Sequence, residues 1–430
     1  MSTKLIFLGC VVSVVLLSFF YPTPPQSTTS DAVTISFSFW GSYEEWNMWR
    51  DIVAAFEAKN PDVRVKLNYI PSGYDDKIRL LLAANSAPDV MMIQDEPFPG
   101  YARYGKFADL TDWAYAPDAP VDWKRDFWPT APESFVYNGR VFGMPVFGGN
   151  ILVFYNRKMF QDLGVDPPSD DWTFDEFVEK AQALTRDLNG DGRRDTFGIM
   201  LPHWLYFMPW TLGFGVNYLN DARTDWAFSG PDALTATQFY QDLRHKFHVA
   251  PSIQEIATEQ EGAMFMTGRI AMQVGGPWTS LPLKTAGLDF DVVHMPVGPM
   301  GKRFTRVTWD SLCMFSKSPH KKEAWRFMMF CVSYEGQAIV GKCARSIPVL
   351  IAAKDTFINP DNGWDEEKFI AALDYAVLQP ITYQWDKMRQ IMDARYEQLL
   401  LNKKTPEETV EALANEMRTE RVFPIPEGSP

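Results

Sequence analysis

The stretch Asp187-Leu188-Asn189-Gly190-Asp191-Gly192-Arg193-Arg194-Asp195 carries oxygen-bearing side chains at alternate positions and a glycine at the sixth. The first nine positions of a calcium loop have this form. Asp187, Asn189, Asp191 and Asp195 would supply side-chain oxygens, and Arg193 its backbone carbonyl. The twelfth position, where a bidentate glutamate normally closes the shell, is Gly198, so the loop needs another ligand or a water. A polar Asx turn between a helix and a strand is the alternative. Calcium here would be structural, because a closed oxygen cage leaves nothing for a substrate. No other cofactor is expected.

A second set of polar groups sits where strands are predicted to end: Trp40-Gly41-Ser42, Gln94-Asp95-Glu96 and Gly148-Gly149-Asn150. In open α/β sheets ligands bind beyond the carboxyl ends of strands, so the three segments could converge on one cleft and orient a hydroxylated ligand. Trp204, Trp210, Trp278, Trp309 and Trp385 add flat apolar faces that stack on sugar rings while keeping an indole N–H for hydrogen bonding. For any one of them, core packing is the simpler role. Catalysis finds little support. Asp95 and Glu96 are neighbours whose side chains point apart in extended chain, whereas glycosidase chemistry needs two carboxyls facing across the scissile bond. The chain has no G-x-S-x-G elbow, H-E-x-x-H pair, phosphate loop or dinucleotide fingerprint, and His203, His245, His248, His294 and His320 form no ligand-like cluster.

The elements that must hold these groups follow a strand-helix-strand order. Val33–Trp40 alternates like a half-buried strand, and Trp46, Trp49, Val53 and Phe56 then recur at helical spacing until Asn60-Pro61 stops the helix. Val63–Ile70 resumes strand character. A helix through Lys77–Ala84 leads to Asp89–Ile93, a continuous apolar run of the kind buried on both faces of a parallel sheet. Strands at Val141–Pro145 and Ile151–Tyr155 follow. Thr173 and Glu176 form a capping box, a purely structural role. Helices are predicted over Asp232–Lys246, Glu261–Thr267, Pro319–Tyr334 and Asp386–Leu401, a strand over Ile270–Val274, and a last helix opening at Thr405-Pro406.

A chain of 430 residues with 46% hydrophobic content exceeds one ordinary core, so two domains are expected. Its net charge of −13, with basic residues scattered among acids, argues against nucleic acid or an anionic membrane as partner. The apolar run Leu5–Phe20 and the Pro- and Ser/Thr-rich stretch to Ser30 read as an export signal and linker, with an uncleaved anchor as the alternative. Cys10 lies inside the apolar run, which argues against lipidation there. Cys313, Cys331 and Cys343 lack paired spacing, so they read as small buried hydrophobes and not as a disulfide framework or zinc site.

Several stretches together carry a family resemblance. Trp40-Gly41 and Phe56-Glu57-Ala58-Lys59-Asn60-Pro61, then Ala87-Pro88-Asp89-Val90, then Tyr155-Asn156-Arg157 with Pro167-Pro168 and Trp172-Thr173, occur in order. Gly268-Arg269-Ile270-Ala271-Met272 with Gly276-Pro277-Trp278, and Ser316-Lys317 through Glu335-Gly336-Gln337, complete the series. Over roughly residues 33 to 420 the chain resembles the family-1 extracellular solute-binding proteins of ABC sugar importers, the group of the maltose-binding protein. The resemblance implies an α/β type II periplasmic-binding-protein fold, with two lobes joined by a hinge and the ligand cleft between them. It also implies a sugar or oligosaccharide ligand, permease subunits of an importer as membrane partner, a periplasmic or extracellular location, and a monomer without enzymatic activity. By position, Trp40, Ser42, Gln94, Glu96, Asn150, Trp278 and Trp385 match places where members touch sugar; Trp309 and Arg345 match more loosely. The implied lobes are 31–146 with 302–347, and 147–301 with 348–430. Many cleft positions depart from the maltose binder, so its specificity does not carry over. A secreted glycoside hydrolase or lyase, and a same-fold receptor for a non-sugar solute, are the alternatives.

Overall fold

The computed structural model describes residues 32–259 and 261–423. The expected export segment and Cys10 lie outside them. Two sheets organise the chain. The larger contains β1 (Val33–Phe39), β2 (Val63–Tyr69), β3 (Val90–Gln94), β6 (Gly143–Asn150), β11 (Thr305–Met314), β12 (Ile347–Pro348) and β13 (Ala376–Leu378). Its order is β12-β6-β11-β3-β1-β2, with β13 parallel to the first residues of β11. β4 (Val136–Tyr137) and β5 (Arg140–Val141) form a separate hairpin. The smaller sheet has the order β10-β7-β9-β8, from Phe290–Val293, Leu152–Asn156, Ile270–Gly275 and Phe197–Ile199.

The longer helices are α1 (Tyr43–Lys59), α2 (Tyr74–Ala83), α3 (Phe174–Leu184), α4 (Trp204–Gly213), α5 (Gly230–His245), α6 (Lys321–Cys331), α7 (Tyr334–Cys343), α8 (Trp385–Leu400) and α9 (Pro406–Thr419). Helix α1 follows its apolar spacing. Met48, Trp49, Ile52, Val53 and Phe56 face the large sheet, where Trp49 meets Phe37 edge-on at 4.6 Å between ring centroids. Each such burial contributes roughly 1.5–3 kcal/mol. Capping boxes open α1 at Ser42/Glu45, α3 at Thr173/Glu176 and α9 at Thr405/Glu408. The helix expected over Pro319–Tyr334 instead ends at Cys331. There the Ser333 hydroxyl accepts the Gly336 N–H and starts α7 as a separate helix.

Each sheet has its own core. One cluster packs Phe37, Trp49, Phe56, Phe147, Leu312 and Phe327 about the large sheet. A second gathers Phe177, Trp210 and Met272 with Met388, Tyr396 and Leu413 of α8 and α9. A third lies where Leu152, Phe154 and Val292 meet Phe357 and Phe369. The segment boundaries differ from expectation. β6 runs on to Asn150 within the large sheet, and β13, drawn from the stretch given to the second lobe, returns to that sheet beside β11. Three-residue pairing is invisible as periodicity, so no sequence pattern marks β13. Cys313 and Cys331 are buried and Cys343 is partly so, all three as free thiols.

The close contact of β8 with α3 requires a residue without a side chain. A Cβ on Gly198 would stand 2.2 Å from the Ala181 carbonyl oxygen, which belongs to the helix backbone and cannot move alone. Gly198→Ala is therefore expected to cost about 1–3 kcal/mol in urea unfolding, the usual penalty of overpacking; an unchanged midpoint would refute this contact.

Candidate functional site

A cavity of about 420 Å³ opens between the large-sheet body and helix α8. Trp40, Tyr74, Asp75, Arg79 and Gln94 line it from the first side, and Asp386, Arg389 and Gln390 from the second. Strand ends deliver Trp40 and Gln94, and helix α2 delivers Tyr74, Asp75 and Arg79. Trp40 follows β1 and packs on Tyr74 at 4.8 Å, and Gln94 closes β3. Arg79 reaches Asp386 across the gap at 2.6 Å. Both side chains are about half exposed, so this bridge adds little to stability.

The floor beside this cavity is charged. Glu45, only 8% exposed, takes the Ser42 N–H and pairs with Arg345 at 2.5 Å. Burial pushes the Glu45 carboxyl up, and Arg345 opposes the shift. Arg345 also donates to the Trp278 carbonyl, at 3.2 Å, from the opposite body. Arg306 is 3% exposed. It donates to Gln379, lies 3.8 Å from Glu96, and stacks beneath the Tyr206 ring of α4 at 4.5 Å from its centroid. Burial raises Glu96, and the Arg306 guanidinium works against that rise. Arg79, Arg345 and Arg306 therefore each connect one body to the other.

Asp95 is fully buried, and its oxygens accept from the Thr308 hydroxyl, the Trp309 N–H and the Gln379 amide. Burial first, and then the neighbouring Glu96 charge, raise its pKa to about 7. Asp310, two positions beyond Thr308, is raised well above the usual carboxylate range by burial and by Asp95, Glu45 and Glu96.

The structure sorts the expected ligand residues. Trp40, Gln94, Glu96, Trp278 and Arg345 come together around the gap between the bodies. Pro277 and Trp278 stand over Gly149, where an added Cβ would come within 3.0 Å of both rings. Ser42 is the N-cap of α1, its hydroxyl accepting the Glu45 N–H. Asn150 has no exposed surface; it donates to the Phe369 carbonyl, and its Oδ1 has no partner. Trp309 is a correction. Its ring is wholly buried and bonded to Thr130, because alternation along β11 turns it into the core and Thr308 and Asp310 out of it. Trp204 and Trp210 are likewise core residues. Trp385 is 5% exposed and leans on Trp204 at 6.0 Å, with its edge on a second groove between the bodies. Glu45, Tyr206, Arg306, Asp310 and Gln379 were not singled out from sequence. Arg306 and Asp310 carried a signal, as charges that share one face with Thr308 in a strand whose other face holds Val307 and Trp309.

In the Asp187–Asp195 loop the side-chain oxygens turn onto the loop's own amides. Asp187 accepts from Gly190 and Gly192, Asn189 from Asp191, Asp191 from Arg193, and Asp195 from Leu188 and Asn189. Among the described residues, no three or more His, Cys, Asp or Glu side chains gather around a point that could hold a metal ion. The observed bonds are those of successive Asx turns.

The raised pKa of Asp95 has a measurable sign. The folded protein holds this proton more tightly than the unfolded chain, so the associated stability is full below about pH 4 and lost as pH rises through about 7. The loss is on the order of 4 kcal/mol. Asp95→Asn is expected to gain on the wild type by a few kcal/mol between pH 4 and pH 8 in urea unfolding; parallel pH curves would contradict the assignment.

Comparison with known proteins places this geometry. The profile of the bacterial extracellular solute-binding protein family matches residues 47–338. A Brucella abortus protein described as a binding protein is 26% identical over 369 residues, 84% of this chain and 86% of its own. The maltotriose-binding protein of Pyrococcus abyssi is 24% identical over 289 residues, 66% of this chain and 59% of its own. Among solved structures, an ABC substrate-binding protein of Listeria monocytogenes in complex with cycloalternan superposes with a TM-score of 0.81. It is 24% identical, and the match covers 91% of this chain and all of that one.

Proposed function

This chain belongs to the family of bacterial extracellular solute-binding proteins, and from that premise we propose that it captures a sugar or short oligosaccharide and delivers it to an ABC importer. Its fold is the family's type II periplasmic-binding fold, two α/β lobes with the cleft between them. The observation that carries the ligand reading is the meeting of indole faces and planar charged groups at that cleft: Trp40 and Trp278 with Glu96, Arg306 and Arg345. Aromatic faces stack on sugar rings, and carboxylates and guanidinium groups exchange hydrogen bonds with hydroxyls. Sugar-binding relatives and the cycloalternan-bound neighbour support this reading.

The mechanism is closure. A ligand that contacts both lobes adds its binding energy to the direct contacts between them and shifts the population toward the closed form. The permease subunits then read the closed face. The receptor acts as a monomer outside the cytoplasm and without turnover. Among the described residues no helix is long and apolar enough to cross a membrane.

Tryptophan fluorescence of the full chain, titrated with mono- and oligosaccharides and followed by product analysis, is expected to show saturable quenching by one sugar class without products. Accumulating products would replace the receptor reading with a hydrolase or lyase, and silence across the panel would point to a non-sugar solute. For the Asp187–Asp195 loop a structural calcium is a separate proposal, in which the acids exchange amide bonds for the ion. Its expected signature is a rise in Tm with added calcium at unchanged sugar affinity. A Tm indifferent to calcium and chelator would retire it.

A further inference from the structure

Strand β11 presents a row of side chains to the second lobe. Arg306, Thr308 and Asp310 alternate with the wholly buried Val307 and Trp309, so the three share one face. Tyr206 over Arg306 shows that this face meets the second lobe. At roughly 3.3 Å per residue the row extends about 13 Å, longer than one sugar ring. Both of its ends carry unmet hydrogen-bonding capacity. Oδ1 of Asp310 is buried without a partner, and so is Nε of Arg306. A buried polar atom left without a partner costs about 1–3 kcal/mol, and more when it is charged, so each end marks an atom that a ligand would supply.

The charge balance differs along the row. Glu45, Asp95, Glu96 and Asp310 cluster here, but Arg345 pairs with Glu45 and Arg306 with Glu96. Asp95 is bonded to neutral donors, with Arg306 and Arg223 attracting it from farther off, and Asp310 has Arg345 as its neighbouring cation. Neither Asp95 nor Asp310 has an ion pair within 4 Å among the described residues. A hydroxyl would satisfy one acceptor at Asp310 and leave its carboxyl, raised well above the usual range by burial and its acidic neighbours, holding its proton. An ammonium group brings up to three donors and a positive charge at once, and charge-assisted bonds are roughly twice as strong as neutral ones.

We propose that the ring bound at the Asp310 end of the cleft carries a basic amine. The ligand class is then a short amino-oligosaccharide, held by its ammonium at Asp310 and by a hydroxyl oxygen at Nε of Arg306. This rests on the sugar-receptor reading and narrows it. Asp310 acts as the specificity residue, while Trp40 and Trp278 serve neutral and amino sugars alike. Burial and the surrounding carboxyls hold the Asp310 carboxyl well above the usual range; the arriving cation offsets them, and the carboxyl proton leaves to solvent as the ammonium binds.

The test is isothermal titration of the full chain at pH 7 with matched pairs: glucose and glucosamine, galactose and galactosamine, cellotriose and chitotriose. In at least one pair the amine is expected to bind at least about tenfold tighter, or 1.4 kcal/mol. Asp310→Asn, which keeps the shape and removes the charge, is expected to bring that ratio below about threefold. Neutral members binding as well as their amines would overturn the inference and leave the receptor reading intact. An amine preference that survives Asp310→Asn would overturn the assignment to Asp310. If no sugar of either kind saturates the protein, the sugar reading fails and this inference with it. The wild-type ratio decides the ligand class even where the variant does not fold.

Discussion

A carboxylate with no exposed surface has to be met by donors, and Asp95 is met by groups that lie far from it in sequence. Thr308 and Gln379 stand 213 and 284 positions away. Burying such a group unpaired costs several kcal/mol, so the large sheet can close only with β11 in register beside β3 and with the Gln379 segment brought back alongside. The return of β13 to the large sheet follows from the same need. Gln379 sits one residue past that strand and spends its amide on Asp95 and Thr308 and its carbonyl oxygen on Arg306. One buried acid thus connects the first lobe's central strands to the chain that leads into α8, whose residues form the opposite wall of the cleft.

The same arrangement explains why the cleft is polar where it might have been greasy. Arg306 and Arg345 are drawn inward by Glu96 and Glu45, and each also touches the other lobe, one through Tyr206 and the other through the Trp278 carbonyl. Groups that span a hinge in this way couple ligand contacts to lobe position without needing a large apolar interface. The apolar stabilisation lies elsewhere, in the separate cores around Trp49 and Trp210. Cleft residues can therefore be tuned for ligand while the lobes remain folded.

Much of this was legible from the residues. The strand at Val33–Trp40, the spacing of Trp49, Val53 and Phe56, the capping pair Thr173/Glu176, the helix start at Thr405-Pro406, and the polar groups at strand ends all reappear in the fold. Local signals of this kind survive because they act over a few residues, where periodicity and hydrogen bonding to the nearest backbone decide the outcome. The break between α6 and α7 was missed because the apolar period continues through it, although a single capping serine at 333 ends one helix and begins the next.

The sequence by itself determined the class of protein, the α/β grammar and the segments whose polar ends face a cleft. Tertiary structure alone decided which tryptophans face the gap between the lobes. Trp309 and Trp278 are indistinguishable as residue types, yet strand alternation sends one into the core beside Thr130 and a Gly-Gly approach leaves the other over Gly149 at the gap. It also decided that Arg306 and Asp310 share a face with unmet hydrogen-bonding capacity. A side chain's exposure and partners depend on strands brought together from distant parts of the chain, and no local pattern records that pairing.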